Sequence, residues 1–312
     1  MVNKESSVAV IDIGSNSIKM LVARRERTGG LKTLKSRTLD ARISAGIAQA
    51  KPTLSDEGML RGLGAVRELV AEAAEYSPAK IVLVATSAVR DATNGAVFRQ
   101  RVKAATKHDI CILTGEEEAN YIGRGLTCDP ALVALRDFFV FDLGGGSLEC
   151  LSFEKRQIKQ ALSLQLGCVR LTERFVKDPT APVPAAALDA IAAHVRGELE
   201  KSGFKFTPAP LAAVFTGGSM SAVRSIQGAK QGLRLEQTPA LIEVPVMRDL
   251  LAALVPMTLA QRKTVPGLPA ARADVFPAAL ATMLAVAEAA GLDRFHHSLH
   301  NLRYGLAAEL LE

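Results

Sequence analysis

The sequence predicts an α/β protein of two related lobes, and three observations carry that reading. The first is the stretch VAVIDIGSNSIKMLVARR, Val8 to Arg25. The second is FFVFDLGGGSLECLSFEK, Phe138 to Lys155, which superposes on it at one constant offset: Asp12 on Asp142, Gly14 on Gly144, Ser17 on Ser147, Lys19 on Glu149. The third is the alternation of short apolar runs with amphipathic segments between and after these stretches. Each copy is an apolar β-branched or aromatic run, a short Gly/Ser/Asn turn and a second apolar run, the pattern of a β-hairpin. A repeat of this kind predicts two lobes that open in the same way.

The remaining elements follow in order. Asp56 to Tyr76 carries apolar residues at helical spacing (Leu60, Leu63, Val66, Leu69, Val70, Ala73), and Ser77-Pro78 stops the helix. Ile81 to Ala85 reads as a buried strand, and Thr86-Ser87 as the cap of a helix with Arg90 in its first turn. Ile110 to Leu113 is another strand. It runs into Thr114-Gly115-Glu116-Glu117-Glu118, where Thr114 and Glu117 have capping-box spacing. Pro179, Pro182 and Pro184 mark a loop before an Ala-rich helix reaching about Lys201. Leu211 to Phe215 reads as a buried strand, followed by Thr216-Gly217-Gly218-Ser219 and a helix from about Met220. Beyond residue 237 the chain reads as almost all helix, broken around Pro266-Gly267-Leu268-Pro269. The lobe boundary is placed at 125/126, giving 1–125 and 126–312, with the last helix able to return to the first lobe.

Composition narrows the class of function. The 312 residues are 48% hydrophobic and 22% charged, enough apolar material for a core in each lobe. A net charge of +6 suits an anionic partner without demanding one. Aromatics are 4% with no Trp, which argues against a stacking platform for nucleic acid. Cys111, Cys128, Cys150 and Cys168 form no C-x-x-C and read as reduced core or near-core thiols of a cytoplasmic protein. No signal-like apolar run precedes Asp12, and the run Phe276 to Ala287 is too short to span a bilayer, so no membrane association is expected.

The hairpin turns also have a chemistry. Small residues let the backbone approach a ligand, and successive N–H groups with Ser hydroxyls cradle phosphate oxygens. An Asp ending the first strand accepts only, so it orients water or a hydrated cation. The plain alternative is a pair of tight turns without a ligand; two Asp-bearing copies favour the phosphate reading. Thr216 to Ser219 repeats the composition ahead of a helix N-terminus, itself a ready anion site, but it is neither a Walker A loop nor a dinucleotide fingerprint. His296, His297 and His300 are weighed as helical metal ligands and set aside, since no carboxylate motif accompanies them. Arg24-Arg25-Glu26-Arg27 reads as a solvated turn, with a share in a basic path for a polyanion as the alternative.

Taken together, several pieces resemble the exopolyphosphatase / guanosine pentaphosphate phosphohydrolase (Ppx/GppA) family in its short two-domain form. They are Ile11-Asp12-Ile13-Gly14-Ser15-Asn16-Ser17, Ala85 to Arg90, Thr114 to Ala119, Asp142 to Glu149, Leu166 to Glu173 and Thr216-Gly217-Gly218, with Arg272 to Val275 and Leu302 to Leu306 near the end. They come in family order and cover nearly the whole chain. The resemblance implies an actin-like (ASKHA, ribonuclease H-like) duplicated two-lobe fold with a central cleft. It implies hydrolysis of a terminal phosphoanhydride of inorganic polyphosphate or pppGpp, with Mg²⁺ or Mn²⁺, in a possible homodimer. It matches Glu118 to the general base and Arg90 to a contact with the scissile phosphate. Asp142 and Glu149 match acids tied to metal and water, with Asp12 added as a metal candidate. Gly14, Ser15 and Asn16, Gly144, Gly145, Gly146 and Ser147, and Gly217 and Gly218 match phosphate-binding loops. The competing reading for Glu116 to Glu118 is a helix start favoured by the macrodipole, and for Arg90 a solvated helix arginine. Two positions depart from the pattern: Asn120 stands where Arg is common, and Tyr304 where an acid is usual. A reading of another class, an actin-like ATP-binding kinase or nucleotide-dependent scaffold, shares the hairpins, but the Arg90 and Glu118 segments favour the hydrolase.

Overall fold

The computed structural model describes residues 6–27, 29–206 and 212–312. They form two compact units: residues 1–134 with 300–312, and residues 135–299. The first unit thus runs past the expected 125, because the helix after Thr114 continues to Thr127 and a 3₁₀ turn follows at Pro130–Leu132.

In the first unit β1 (Ser7–Ile13), β2 (Ile18–Arg25) and β3 (Leu31–Leu39) form an antiparallel meander. Helix α1 (Asp56–Ala74) follows, then β4 (Lys80–Ala85), the one-turn α2 (Ser87–Arg90), α3 (Gly95–Thr106), β5 (Ile110–Ile112) and α4 (Gly115–Thr127). The sheet order is β3-β2-β1-β4-β5, with β4 and β5 parallel to β1. β1 is buried at every residue, as a central strand covered on both faces must be. Ser55 caps α1 by accepting from the Gly58 N–H, and Thr114 with Glu117 closes the capping box of α4.

The second unit repeats the plan. β6 (Phe138–Leu143), β7 (Leu148–Glu154) and β8 (Gln157–Leu164) form the meander. α5 (Cys168–Phe175), α6 (Ala185–Ser202), β9 (Ala213–Thr216) and α7 (Gly218–Ala229) follow. Then come β10 (Leu241–Glu243), α8 (Val244–Leu254), α9 (Leu259–Arg262), α10 (Phe276–Ala290) and β11 (Arg294–His297). The sheet order is β10-β11-β9-β6-β7-β8, with β9 parallel to β6 and β11 parallel to β9. Phe138 and Phe153 stack across the hairpin at 4.5 Å, and Phe141, Phe215 and Phe295 pack across three neighbouring strands.

Helix α11 (Leu302–Leu310) belongs to the first unit. It crosses α4 backbone to backbone: a Cβ on Gly125 would stand 2.0 Å from the Asn301 carbonyl, and one on Gly305 2.0 Å from that of Tyr121. Only glycine permits this approach. Tyr304, where the family pattern has an acid, meets the Thr33 hydroxyl at 3.0 Å.

Four expectations are corrected. The stretch after residue 237 is not all helix: β10 and β11 add two strands, too short for a periodic signal and made by pairing with β9. His296 and His297 therefore lie on a strand rather than on a helix with His300. Cys111 is exposed, because β5 is an edge strand; Cys150 and Cys168 are buried and all four thiols are free. The strand expected from Leu211 begins at Ala213, and Leu211 lies outside the described residues. Among the described residues no helix is long and apolar enough to cross a membrane.

Candidate active site

The two hairpin turns are built alike. Gly14 N–H bonds the Ser17 carbonyl at 3.2 Å, and Gly144 N–H bonds that of Ser147 at 3.0 Å. In each, other backbone amides take up the turn's carbonyls. Arg42 and Ser44 donate to the carbonyls of Asn16 and Ser15 at 2.9 and 3.3 Å. Cys168 donates to Gly144 at 3.0 Å, Val169 and Arg170 donate to Gly145 at 2.9 and 3.2 Å, and Arg170 Nε donates to Gly146 at 2.9 Å. The amides of Ser15, Asn16, Gly145, Gly146 and Ser147 donate none of these bonds. A turn whose carbonyls are occupied and whose amides are available is an anion-binding nest. The second turn is held tightly: a Cβ on Gly167 would lie 2.3 Å from backbone atoms of Gly145 and Gly146.

In the first unit α2 and α4 bring Arg90 and Glu118 together. The capping box turns the glutamates apart: Glu117 closes the cap, Glu116 is exposed, and Glu118 is buried. Arg90 Nη1 donates to Glu118 Oε2 at 2.9 Å and to the Leu113 carbonyl at 2.9 Å, while Nε lies 3.5 Å from Asp91 Oδ1. Ser15 Oγ and Ser87 Oγ, 3.1 Å apart, tie the first turn to the start of α2. Asn120 is exposed on α4.

The register places Asp12 opposite Lys19, and Asp142 opposite Glu149. This is where the two copies differ chemically. Burial pushes the Asp12 carboxyl above its ordinary range, while Lys19 and Arg303 pull it back. Arg303 Nη1 donates to the Met20 carbonyl at 3.1 Å, so α11 delivers a cation beneath the first hairpin. In the second unit two buried carboxylates sit side by side on one sheet face, 8% and 2% exposed, where cross-strand Cβ atoms are about 5 Å apart. Ser163, next across the sheet, donates to Glu149 Oε1 at 2.7 Å. Two adjacent buried carboxylates repel and favour a cation or a shared proton. Burial and Glu149 both push the neighbouring Cys150 thiol upward, so it stays protonated.

The third glycine loop lies against this acid row. Gly217 has φ of 96°, and a Cβ there would stand 2.7 Å from Asp142 Oδ1. The Arg272 guanidinium covers Gly218, where a Cβ would meet Nη2 at 2.2 Å. The histidines weighed as ligands are apart: His297 meets Ser221 and Arg224, His300 meets Asp129 at 3.4 Å, and His296 is half-buried on β11.

Among the described residues no group of three or more His, Cys, Asp or Glu is arranged to hold a metal ion. Mg²⁺ needs no such cage, since it is held by one or two carboxylates, waters and substrate phosphates. Asp142 and Glu149 fit that mode. Asp12, between Lys19 and Arg303, is the less suitable ligand. Residue types in the sequence left four neighbours unassigned: Arg42, Ser163, Arg170 and Arg303. Arg170 and Arg303 fall within recognisable motifs, but nothing local marks Arg42 or Ser163.

Each unit is thus a mixed sheet, of five strands in one and six in the other, opened by a hairpin of the same build, the half of an actin-like duplicated fold. The chain belongs to the Ppx/GppA phosphatase family, whose model matches residues 5–312. It is 30% identical over 306 residues to the guanosine-5'-triphosphate,3'-diphosphate pyrophosphatase of Vibrio vulnificus, covering 97% of this chain and 59% of that protein. The corresponding protein of Aeromonas hydrophila is also 30% identical, with 97% and 59% covered. This chain therefore spans about three fifths of the length of these curated relatives. Its fold matches an exopolyphosphatase from Cytophaga hutchinsonii with a TM-score of 0.88 at 23% identity, 98% of each chain being covered. It matches the Aquifex aeolicus Ppx/GppA enzyme with a TM-score of 0.79 at 22% identity, covering 97% and 99%.

Proposed function

We propose that the chain hydrolyses the terminal phosphoanhydride bond of inorganic polyphosphate with Mg²⁺. The observation that carries this is the Arg90–Glu118 pair. A carboxylate that must orient water beside a polyanion is repelled by it. Arg90 offsets that repulsion and fixes the carboxylate where it can act as general base.

Water attacks the terminal phosphorus and its proton passes to Glu118. The P–O bond to the bridging oxygen breaks, releasing phosphate and a chain shorter by one unit. Turn amides such as those of Ser15 and Asn16, in the same unit as Arg90 and Glu118, bind non-bridging oxygens, where charge is spread in the transition state. Arg90 neutralises charge at the scissile phosphate. Asp142 and Glu149 would hold Mg²⁺, which supplies charge neutralisation on the phosphate oxygens.

A second reading, removal of the 5′-terminal phosphate of pppGpp by the same residues, is favoured by the names of the relatives at 30% identity. Phosphate release from polyphosphate, pppGpp and ATP, measured side by side with Mg²⁺, separates the two. Polyphosphate is expected to be the best substrate. A preference for pppGpp selects the second reading, and turnover of ATP alone overturns both.

A further inference from the structure

Ser221 and His297 look at first like a hydrolase dyad. Ser221 Oγ lies 3.1 Å from His297 Nε2, and both residues are remote in sequence. In a serine nucleophile pair, an acid accepts from Nδ1–H, which leaves Nε2 free to take the serine proton. Here the third member is Arg224, whose Nη1 donates to His297 Nδ1 at 3.3 Å. A guanidinium has no acceptor, so Nδ1 must be the bare nitrogen and Nε2 must carry the proton. His297 then donates to Ser221, and the Ser221 hydroxyl is directed to its remaining partner, the Gly217 carbonyl at 3.0 Å.

The surroundings lock this direction. Arg224 Nε donates to the Thr238 carbonyl at 2.9 Å, and the His297 backbone N–H donates to the Ala240 carbonyl at 2.7 Å. Arg224 and His297 are 8% and 3% exposed, so water does not compete for these bonds. The end of the relay is Gly217, at φ 96°, where a Cβ would stand 2.7 Å from Asp142 Oδ1.

We infer that His297, in its Nε2–H tautomer, is a positioning residue for the Thr216-Gly217-Gly218 loop, acting through Ser221 on the Gly217 carbonyl. The inference rests on the proposed reading of that loop as a phosphate site. It assigns β11 a part in holding substrate: the strand pairs with β9 at His297 opposite Phe215, and carries the tautomer-fixed donor to the loop after β9. Loop placement matters because a misplacement of about 1 Å costs on the order of 10²-fold in rate.

The test uses the full chain. Histidine ¹⁵N labelling resolves the tautomers of the 5 histidines, and His297 is expected as the Nε2–H form. An Nδ1–H form would overturn the relay. In Ser221→Ala the Gly217 and Gly218 amide resonances are expected to shift; unmoved resonances overturn it, whether or not the chain is a hydrolase. In kinetics, Ser221→Ala and His297→Asn are expected to lower kcat/KM for polyphosphate about tenfold, mainly through KM. His297→Gln, whose longer amide reaches Ser221, is expected to recover most of the loss. Equal rates for all three variants and wild type overturn the inference. A wild-type chain that releases no phosphate instead overturns the proposed function, and the two resonance measurements still decide the relay.

Discussion

Arg90 holds Glu118 with the same guanidinium nitrogen that caps the Leu113 carbonyl, each at 2.9 Å. The cation is thereby fixed to the end of β5 before it meets the carboxylate, and Glu118 is pinned on the first turn of α4. Removing only the charge of Glu118 leaves this frame. Glu118→Gln is expected to lower the phosphate-release rate by about 10²–10⁴-fold while substrate affinity stays close to wild type. A variant keeping more than about a third of the rate would remove Glu118 from the mechanism.

Metal dependence follows from the acid row. Two buried carboxylates that form no group of three His, Cys, Asp or Glu ligands among the described residues favour a hard cation that completes its shell with water and phosphate oxygens. Turnover should vanish in EDTA and return with Mg²⁺ or Mn²⁺. Asp142→Asn should raise the Mg²⁺ concentration needed for half-maximal rate. Full turnover in chelator defeats this.

Asp12 has the opposite environment. Its folded pKa lies above the ordinary 3.8, chiefly through burial. A raised carboxyl pKa contributes stability below the unfolded value and loses it as pH rises through the folded one. At neutral pH the buried Asp12 carboxyl therefore lowers stability, and Asp12→Asn should raise Tm at pH 7.5. The gap should close toward pH 4. A lower Tm for the variant at pH 7.5 would show that the Lys19 and Arg303 interactions outweigh burial.

Gly167 tests the second turn. Its backbone (φ −65°, ψ 149°) is open to any residue, so substitution isolates the close approach to Gly145 and Gly146. Gly167→Ala should cost about 2–3 kcal/mol in urea unfolding, the range of overpacking in a tight core. A loss below about 0.5 kcal/mol would mean that the turn yields freely.

Tyr121 reports the seam between α4 and α11. Its hydroxyl donates to Glu309 Oε1 at 2.8 Å, and burial with that bond pushes the phenol from 10.0 up to about 12. Because the folded value is raised, the contribution is complete below pH 10 and is lost through about 12. Absorbance titration should show a tyrosine step near 12 that is absent in Tyr121→Phe. A wild-type chain with no step above about 11 would show that the seam is open.

The sequence by itself determined the two hairpins, the α/β class, the capping box at Thr114–Glu117 and the composition of the three glycine loops. These rest on local rules: alternation, turn chemistry and fixed spacing along the chain. Glu118 and Arg90 were individually legible, although 28 residues apart in the chain. Their contact was not, because it depends on β4 and β5 pairing in parallel so that α2 and α4 start at the same end of the sheet. Tertiary structure alone decided that Arg303 joins Lys19 near Asp12, whereas Asp142 lies between Glu149 and Thr216. It also turned three nearby histidines, two of them expected on one helix face, into a strand donor, a half-buried neighbour and a partner of Asp129. Strands as short as β10 and β11 carry no period of their own; pairing with β9 makes them, and that pairing is a long-range event.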